Sequence, residues 1–244
     1  MSSRTYVADE QDLATKLAGP PAIFLSAGVP WKRTPLKKLT LHYLRTARPA
    51  NIRQAVGGIA RGLLRRGVRL VFGAQPALAG MLLSQADDVR RHVGSDEPRL
   101  LIFQSRFFEG ELPETTLDLA SWEGAQLVFT PDVPVAAGEP REAGKDPSLE
   151  LMRKLMVSVP DLRAAIFVGG MEGIGLEAEA FRTRQPDKPM YAFASTGSAA
   201  ADLFNKNRTL YSGGLPPSKM QELTSYERLT EEILERLKIG GRPQ

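Results

Sequence analysis

The stretch Ala165-Ile166-Phe167-Val168-Gly169-Gly170-Met171-Glu172-Gly173-Ile174-Gly175-Leu176-Glu177 constrains this chain more than any other. Its short apolar run bounded by glycines reads as a buried strand, and Leu176, Phe181 and the alanines between them read as a helix. The glycines then fall in a strand-to-helix turn. Such a turn can hold phosphate, because glycine lets the backbone approach a ligand while the first N–H groups and the positive end of the helix attract an anion. The spacing is not the six-residue dinucleotide fingerprint, since Gly169 and Gly170 are adjacent, and no P-loop lysine follows. Glu177 follows Gly173 by four residues, close to the expected anion. Phosphate would repel a carboxylate there, so its useful partner is a sugar hydroxyl or a scissile ribosyl bond.

A chain of 244 residues, 42% hydrophobic and 25% charged, can build one substantial core, and a single α/β domain is expected. The net charge of +4 is too small to indicate a nucleic-acid surface. Small basic clusters at Trp31-Lys32-Arg33 with Lys37-Lys38, and at Arg61, Arg65 and Arg66, read as solvated surface charge. The absence of cysteine excludes disulfides, thiolate metal sites and cysteine catalysis. Only His42 and His92 could supply imidazole, neither at metal-ligand spacing, so no metal and no cofactor are expected. No apolar run reaches the roughly eighteen residues of a membrane span, and with no signal-peptide pattern a cytoplasmic protein without a membrane partner is the expectation.

Residues 1–21 read as a polar extension ending in Gly19-Pro20-Pro21, and residues 22–244 as the domain. Ala22–Ser26 is the first expected strand, with Ala27-Gly28-Val29-Pro30 a small-residue turn at its carboxyl end, where ligands collect in open α/β sheets. Residues 31–50, with Pro35 and Pro49, read as irregular or short-helical. Asn51 reads as the cap of a helix running to about Arg66 and ended by Gly67, and Arg69–Gly73 as the second strand. A turn at Ala74-Gln75-Pro76 then leads into an apolar helix over 77–83. Further strands are expected at 99–104, 126–130 and 189–194, joined by right-handed crossovers into neighbouring parallel strands. The proline- and glycine-rich segments 105–125 and 131–147 are long for a compact domain, as loops of a site or an interface often are. Pro147 opens a helix carrying Leu149, Met152 and Met156, the methionines serving either core or a subunit contact. Ser195-Thr196-Gly197-Ser198 forms another small-residue turn before a helix from Ala199. Ser225–Lys238 is an amphipathic helix whose acidic polar face suits packing on the sheet or a partner subunit better than on a membrane.

Met152-Arg153-Lys154-Leu155-Met156, then Ala164–Gly170, then Gly173-Ile174-Gly175-Leu176-Glu177, resemble the LOG superfamily, and Phe24–Ala27 and Leu70–Ala74 are similar to its first two strand-turn segments. The resemblance covers about residues 22–206. It implies a single Rossmann-like, three-layer α/β domain with a mostly parallel sheet flanked by helices. Some members of the superfamily are phosphoribohydrolases that split a nucleoside monophosphate into base and ribose phosphate. Two departures, an extra residue between Gly170 and Gly173 and Ile174 in place of threonine, make the chain look more like the SLOG branch, LOG-like and TRPM-like domains that bind nucleotide-derived signals.

Two functions therefore stand open. One is a sensor binding an ADP-ribose-like or cyclic ADP-ribose-like ligand, for which the resemblance implies antiphage signalling as a setting; the other is a phosphoribohydrolase in which Glu177 and Arg153 would be catalytic. The resemblance places Arg153 on ligand phosphate or ribose, a task suited to a planar donor fork, and Lys154 either beside it or in a surface salt bridge. Glu177 would hold ribose hydroxyls in a sensor or stabilise positive charge at the ribosyl carbon in a hydrolase. Gly169, Gly170, Met171, Glu172, Gly173, Ile174 and Gly175 are the expected turn contacts, with Ser26, Gly73, Ser195 and Thr196 lining the same crevice. A homodimer or larger assembly, and an effector protein partner, are also implied.

Overall fold

The computed structural model describes residues 3–31, 38–74, 78–83, 85, 99–222 and 225–239. The expected features at Lys32, Arg33, Pro35, Lys37, Gln75-Pro76-Ala77 and His92 lie outside the described residues.

Seven strands form one sheet, every pairing parallel: β1 Ser3–Tyr6, β2 Ala22–Gly28, β3 Arg69–Gly73, β4 Leu100–Ser105, β5 Ala125–Thr130, β6 Leu162–Gly169 and β7 Met190–Phe193. Strands β2 to β6 are near-continuous apolar runs because both faces of the sheet are covered by helices, leaving no solvated side to alternate toward. The helices are α1 Glu10–Lys16, α2 Lys38–Thr46, α3 Pro49–Arg65, α4 at residues 78–83, α5 Glu114–Ser121, α6 Lys145–Met156, α7 Glu172–Arg184, α8 Ser198–Lys206, α9 Pro217–Glu222 and α10 Tyr226–Leu237.

The strand order is β1-β5-β4-β3-β2-β6-β7. From β2 the chain steps one way through β3, β4 and β5, then returns to place β6 on the other side of β2. Right-handed crossovers that reverse direction put α3 and α7 on opposite faces and leave a crevice between the carboxyl ends of β2 and β6, the switch point of a doubly wound sheet. The three-layer α/β domain expected from the sequence is what forms.

Several local expectations change. The residues read as an extension supply β1, which pairs with β5 from Ser3↔Gln126 to Tyr6↔Phe129, and α1, whose Leu13 is buried beside Val7 and Leu17. Helix α3 begins at Pro49, the first-turn position where a missing N–H costs nothing, and Asn51 donates to the Ser195 carbonyl (2.9 Å) instead of capping. The basic trio Arg61, Arg65 and Arg66 is not merely solvated. Arg61 and Arg65 bond Glu227 at 2.8 and 2.6 Å, and Arg66 Nε bonds Glu231 at 2.9 Å, both acids lying on α10.

Glycines make that pairing possible. A Cβ on Gly58 would stand 2.7 Å from the Glu227 nitrogen, and one on Gly62 would stand 2.9 Å from Thr230 Cγ2, so α10 packs directly against the α3 backbone. Gly58→Ala is expected to cost ~1–3 kcal/mol by overpacking, read as a lower urea midpoint with an unchanged slope. An unchanged midpoint would mean that the helices separate freely.

Candidate functional site

The pleat and the helix repeat together build the site. Alternate β2 residues Phe24 and Ser26 point to the same side, and Glu177 and Phe181 share a face of α7 one turn apart. Phe24 stacks on Phe181 with ring centres 6.1 Å apart, and one register further toward the carboxyl end the Ser26 hydroxyl donates to Glu177 Oε2. An apolar pair thus anchors α7 on β2, and a polar pair sits above it at the crevice. Crowding by the surrounding protein pushes the Glu177 carboxyl above the ordinary carboxylate range, while the Ser26 hydrogen bond and the Arg153 charge pull the other way.

The turn after β6 is tighter than the sequence suggests. Only Gly169 and Gly170 form it, with φ of 56° and 74°, and α7 starts at Glu172, so Gly173 and Gly175 are helical. Positive φ is needed at both turn glycines, and a side chain is barred as well: a Cβ on Gly169 would meet Ile52, and one on Gly170 would meet Ile174 Cγ1 at 2.2 Å. Gly170 N–H is tied to the Gly28 carbonyl (2.7 Å) and Gly169 N–H to Thr196 Oγ1 (2.9 Å). Met171 precedes α7 in extended conformation without capping it through its side chain; the Ile174 N–H bonds the Met171 carbonyl (3.0 Å), and the first-turn N–H groups of Glu172 and Gly173 have no helical partners. Beside them, Gly173 has nothing within 4 Å of the point where a Cβ would stand.

These elements open onto a cleft of about 1090 Å³. Its walls include Gly28 at the end of β2, Gly73 at the end of β3, the turn at Gly170-Met171 with the start of α7 from Glu172 to Ile174, and Glu177. Across from α7, Asp146, Leu149 and Arg153 line it from α6 at helical spacing, a stripe roughly 10 Å long at 1.5 Å per residue. The Arg153 Nε is buried without a hydrogen-bond partner among the described residues.

A family model described as the SLOG cluster3 family matches residues 42–214. The chain belongs to that family. No curated protein matches it. SLOG membership supports a nucleotide-related role, as a sensor or in the LOG manner, and in this SLOG domain the matched span contains α3, β3, α6, β6 and α7, most of the cleft wall.

Some expected site residues of the SLOG domain lie elsewhere. Lys154 is exposed and pairs with Glu150 one turn back (3.0 Å), because adjacent helical residues diverge by about 100° and only Arg153 faces the cleft. Ser195 and Thr196 are buried behind the turn. Ser195 Oγ meets the Tyr226 hydroxyl at 3.0 Å, and Thr196 accepts from Gly169 and donates to the Phe193 carbonyl, so both hydroxyls hold structure. Gly169 and Gly175 are outside the lining, Gly169 facing Ile52 of α3 and Gly175 exposed on α7. Ser26 reaches the cleft only through Glu177. Gln104, Phe108, Lys145 and Asp146 line the cleft without having been expected there, and so does Trp31, which the sequence placed in a solvated basic cluster. Their one signal was position, at the ends of the long segments 105–125 and 131–147 and in the turn after β2.

Among the described residues no group of His, Asp and Glu could hold a metal ion, and no helix is long and apolar enough to cross a membrane.

Proposed function

We propose that the cleft binds a nucleotide-derived small molecule of the ADP-ribose or cyclic ADP-ribose kind, and that the protein acts as a SLOG-type sensor. The observation that carries this reading is the unpartnered Arg153 Nε across the cleft from the uncapped start of α7. A guanidinium fork on one wall and the Glu172 and Gly173 N–H groups on the other, with open space at Gly173, suit a phosphate between them. Glu177 and Glu172 beside that point would accept from ribose hydroxyls. The volume of about 1090 Å³ is at the upper end for small-molecule sites and leaves room beyond one sugar phosphate. Ile174 buries hydrocarbon against Gly170 where a threonine would offer a hydroxyl, which favours holding a phosphate over processing it.

Binding would bias assembly of a homodimer or larger homo-oligomer, or engagement of an effector protein, in a cytoplasmic, antiphage setting. A second reading rests on Glu177, a carboxyl held rigidly by Ser26 at the cleft wall, where it could assist cleavage of an N-glycosidic bond in the LOG manner. Incubation with AMP, NAD and ADP-ribose, followed by both thermal shift and released base, separates the two. Stabilisation without base release supports the sensor and release supports the hydrolase; neither would sink both. Arg153→Ala should weaken the stabilising ligand at least about tenfold, the loss of one charge-assisted contact to phosphate. Size-exclusion chromatography with and without that ligand tests the assembly.

A further inference from the structure

We infer that the cleft holds an aromatic subsite, built on Phe108 and Lys145 with Trp31 on the wall of the same cleft, that stacks a planar base independently of the phosphate end. This inference rests on the reading of the cleft as a nucleotide site and adds the part of the ligand that Arg153 and Glu177 do not reach. Trp31, three residues past the end of β2, lines the cleft and is 59% exposed, so its indole offers a large aromatic surface there.

Phe108 is set from the other side. Ser105 Oγ caps the single helical turn Arg106–Glu111 by accepting from Phe107 N–H (3.2 Å). Phe107 is buried under the Arg141 guanidinium, 4.3 Å from its ring centre, and meets Phe108 edge-on at 4.9 Å, so the Phe108 ring is held at the cleft and not left to swing. The Lys145 ammonium stands 5.7 Å from the Phe108 ring centre, placing a cation beside any ring stacked there. Lys145 lies eight residues before Arg153 on α6, roughly 12 Å along the helix, which spaces this cation and the phosphate-side guanidinium along one wall of the cleft. Gln104 also lines the cleft, and because its Oε1 accepts from Ser105 N–H (3.0 Å), its amide N–H₂ is left as a donor for a base acceptor.

The chain has two tryptophans, and the other, Trp122, precedes β5 at the opposite end of the strands, so emission changes on titration report Trp31. Ribose 5-phosphate should stabilise the protein without altering emission, whereas ADP-ribose should stabilise it and quench. Phe108→Ala should weaken ADP-ribose about tenfold, the range of one base stacked on an aromatic side chain, and leave ribose 5-phosphate unchanged. Trp31→Phe should abolish the quench while keeping most of the affinity. Stabilisation by ADP-ribose with no change in emission, or equal weakening of both ligands by Phe108→Ala, overturns the subsite and leaves the phosphate end standing. If neither ligand stabilises the protein, the nucleotide reading falls and the subsite falls with it.

Discussion

Replacing Arg69 with alanine is expected to remove about 3–5 kcal/mol of stability, more than any change at the cleft. Arg69 opens β3, is 4% exposed, and among the described residues hydrogen-bonds only carbonyls, with the Asp161 charge nearby: Nε donates to Pro20 (2.7 Å), one terminal nitrogen to Leu17 (2.7 Å) and the other to Pro160 (3.1 Å). Those carbonyls belong to the end of α1, the approach to β2 and the approach to β6. One side chain therefore ties the amino-terminal ends of three neighbouring strands to the helix that precedes them. Burial lowers the Arg69 pKa, but a guanidinium stays charged, so the cost of burying it must be met by those contacts. Truncation leaves three carbonyls without their donor and a void beneath Gly19, where the guanidinium now packs. Arg69→Met should lose less than Arg69→Ala, because it refills the volume. Urea denaturation of the two variants checks both statements, and hydrogen exchange over residues 10–17 should rise first. A loss under about 1 kcal/mol for the alanine variant would mean that water replaces the guanidinium readily.

Nothing in the sequence announces that staple, because its acceptors are backbone groups from three distant segments. What was legible followed from burial. Ala22–Gly28 and Leu162–Gly169 are apolar along almost their whole length because they are central parallel strands, and an uninterrupted run is what such strands require. Strand β1 was hidden for the opposite reason. It is an edge strand whose Tyr6 is 43% exposed, and the run Ser3-Arg4-Thr5-Tyr6 has no apolar signal. The start of α7 was misplaced because glycine is a poor helix former, yet Gly173 and Gly175 fall in the first turn, where packing outweighs intrinsic preference. Ser195 and Thr196 look in sequence like a ligand turn. The 3₁₀ turn Ala194–Thr196 rolls their hydroxyls inward, onto Tyr226 and Gly169. The Phe108 side of the cleft was the least legible part. Phe108 and Lys145 are 37 positions apart and meet only because α6 folds back against β4.

Glu177→Gln should make the unliganded protein more stable at neutral pH while removing its response to ligand. Among the described carboxyls with a resolved shift, Glu177 alone has its pKa raised on balance, by burial, and a raised carboxyl means that ionising it opposes folding. The sign is fixed by linkage. Between the ordinary glutamate value and its higher folded value, the native state binds more protons than the unfolded chain, so stability falls as pH rises through that window and the loss is complete above it. Glutamine keeps the shape and a donor-acceptor pair for Ser26 but never ionises, so the decline should vanish and the melting temperature at pH 7 should rise. A residue kept for packing alone would not impose such a cost, whereas one kept to accept from ribose hydroxyls or to steady a ribosyl cation would. The same substitution should therefore weaken ADP-ribose at least about tenfold, or abolish base release if the protein turns substrate over. Melting curves from pH 4 to pH 8 with and without ADP-ribose read both effects. A glutamine variant that is destabilised, or that binds ADP-ribose as the native chain does, would show that Glu177 serves the fold and not the ligand.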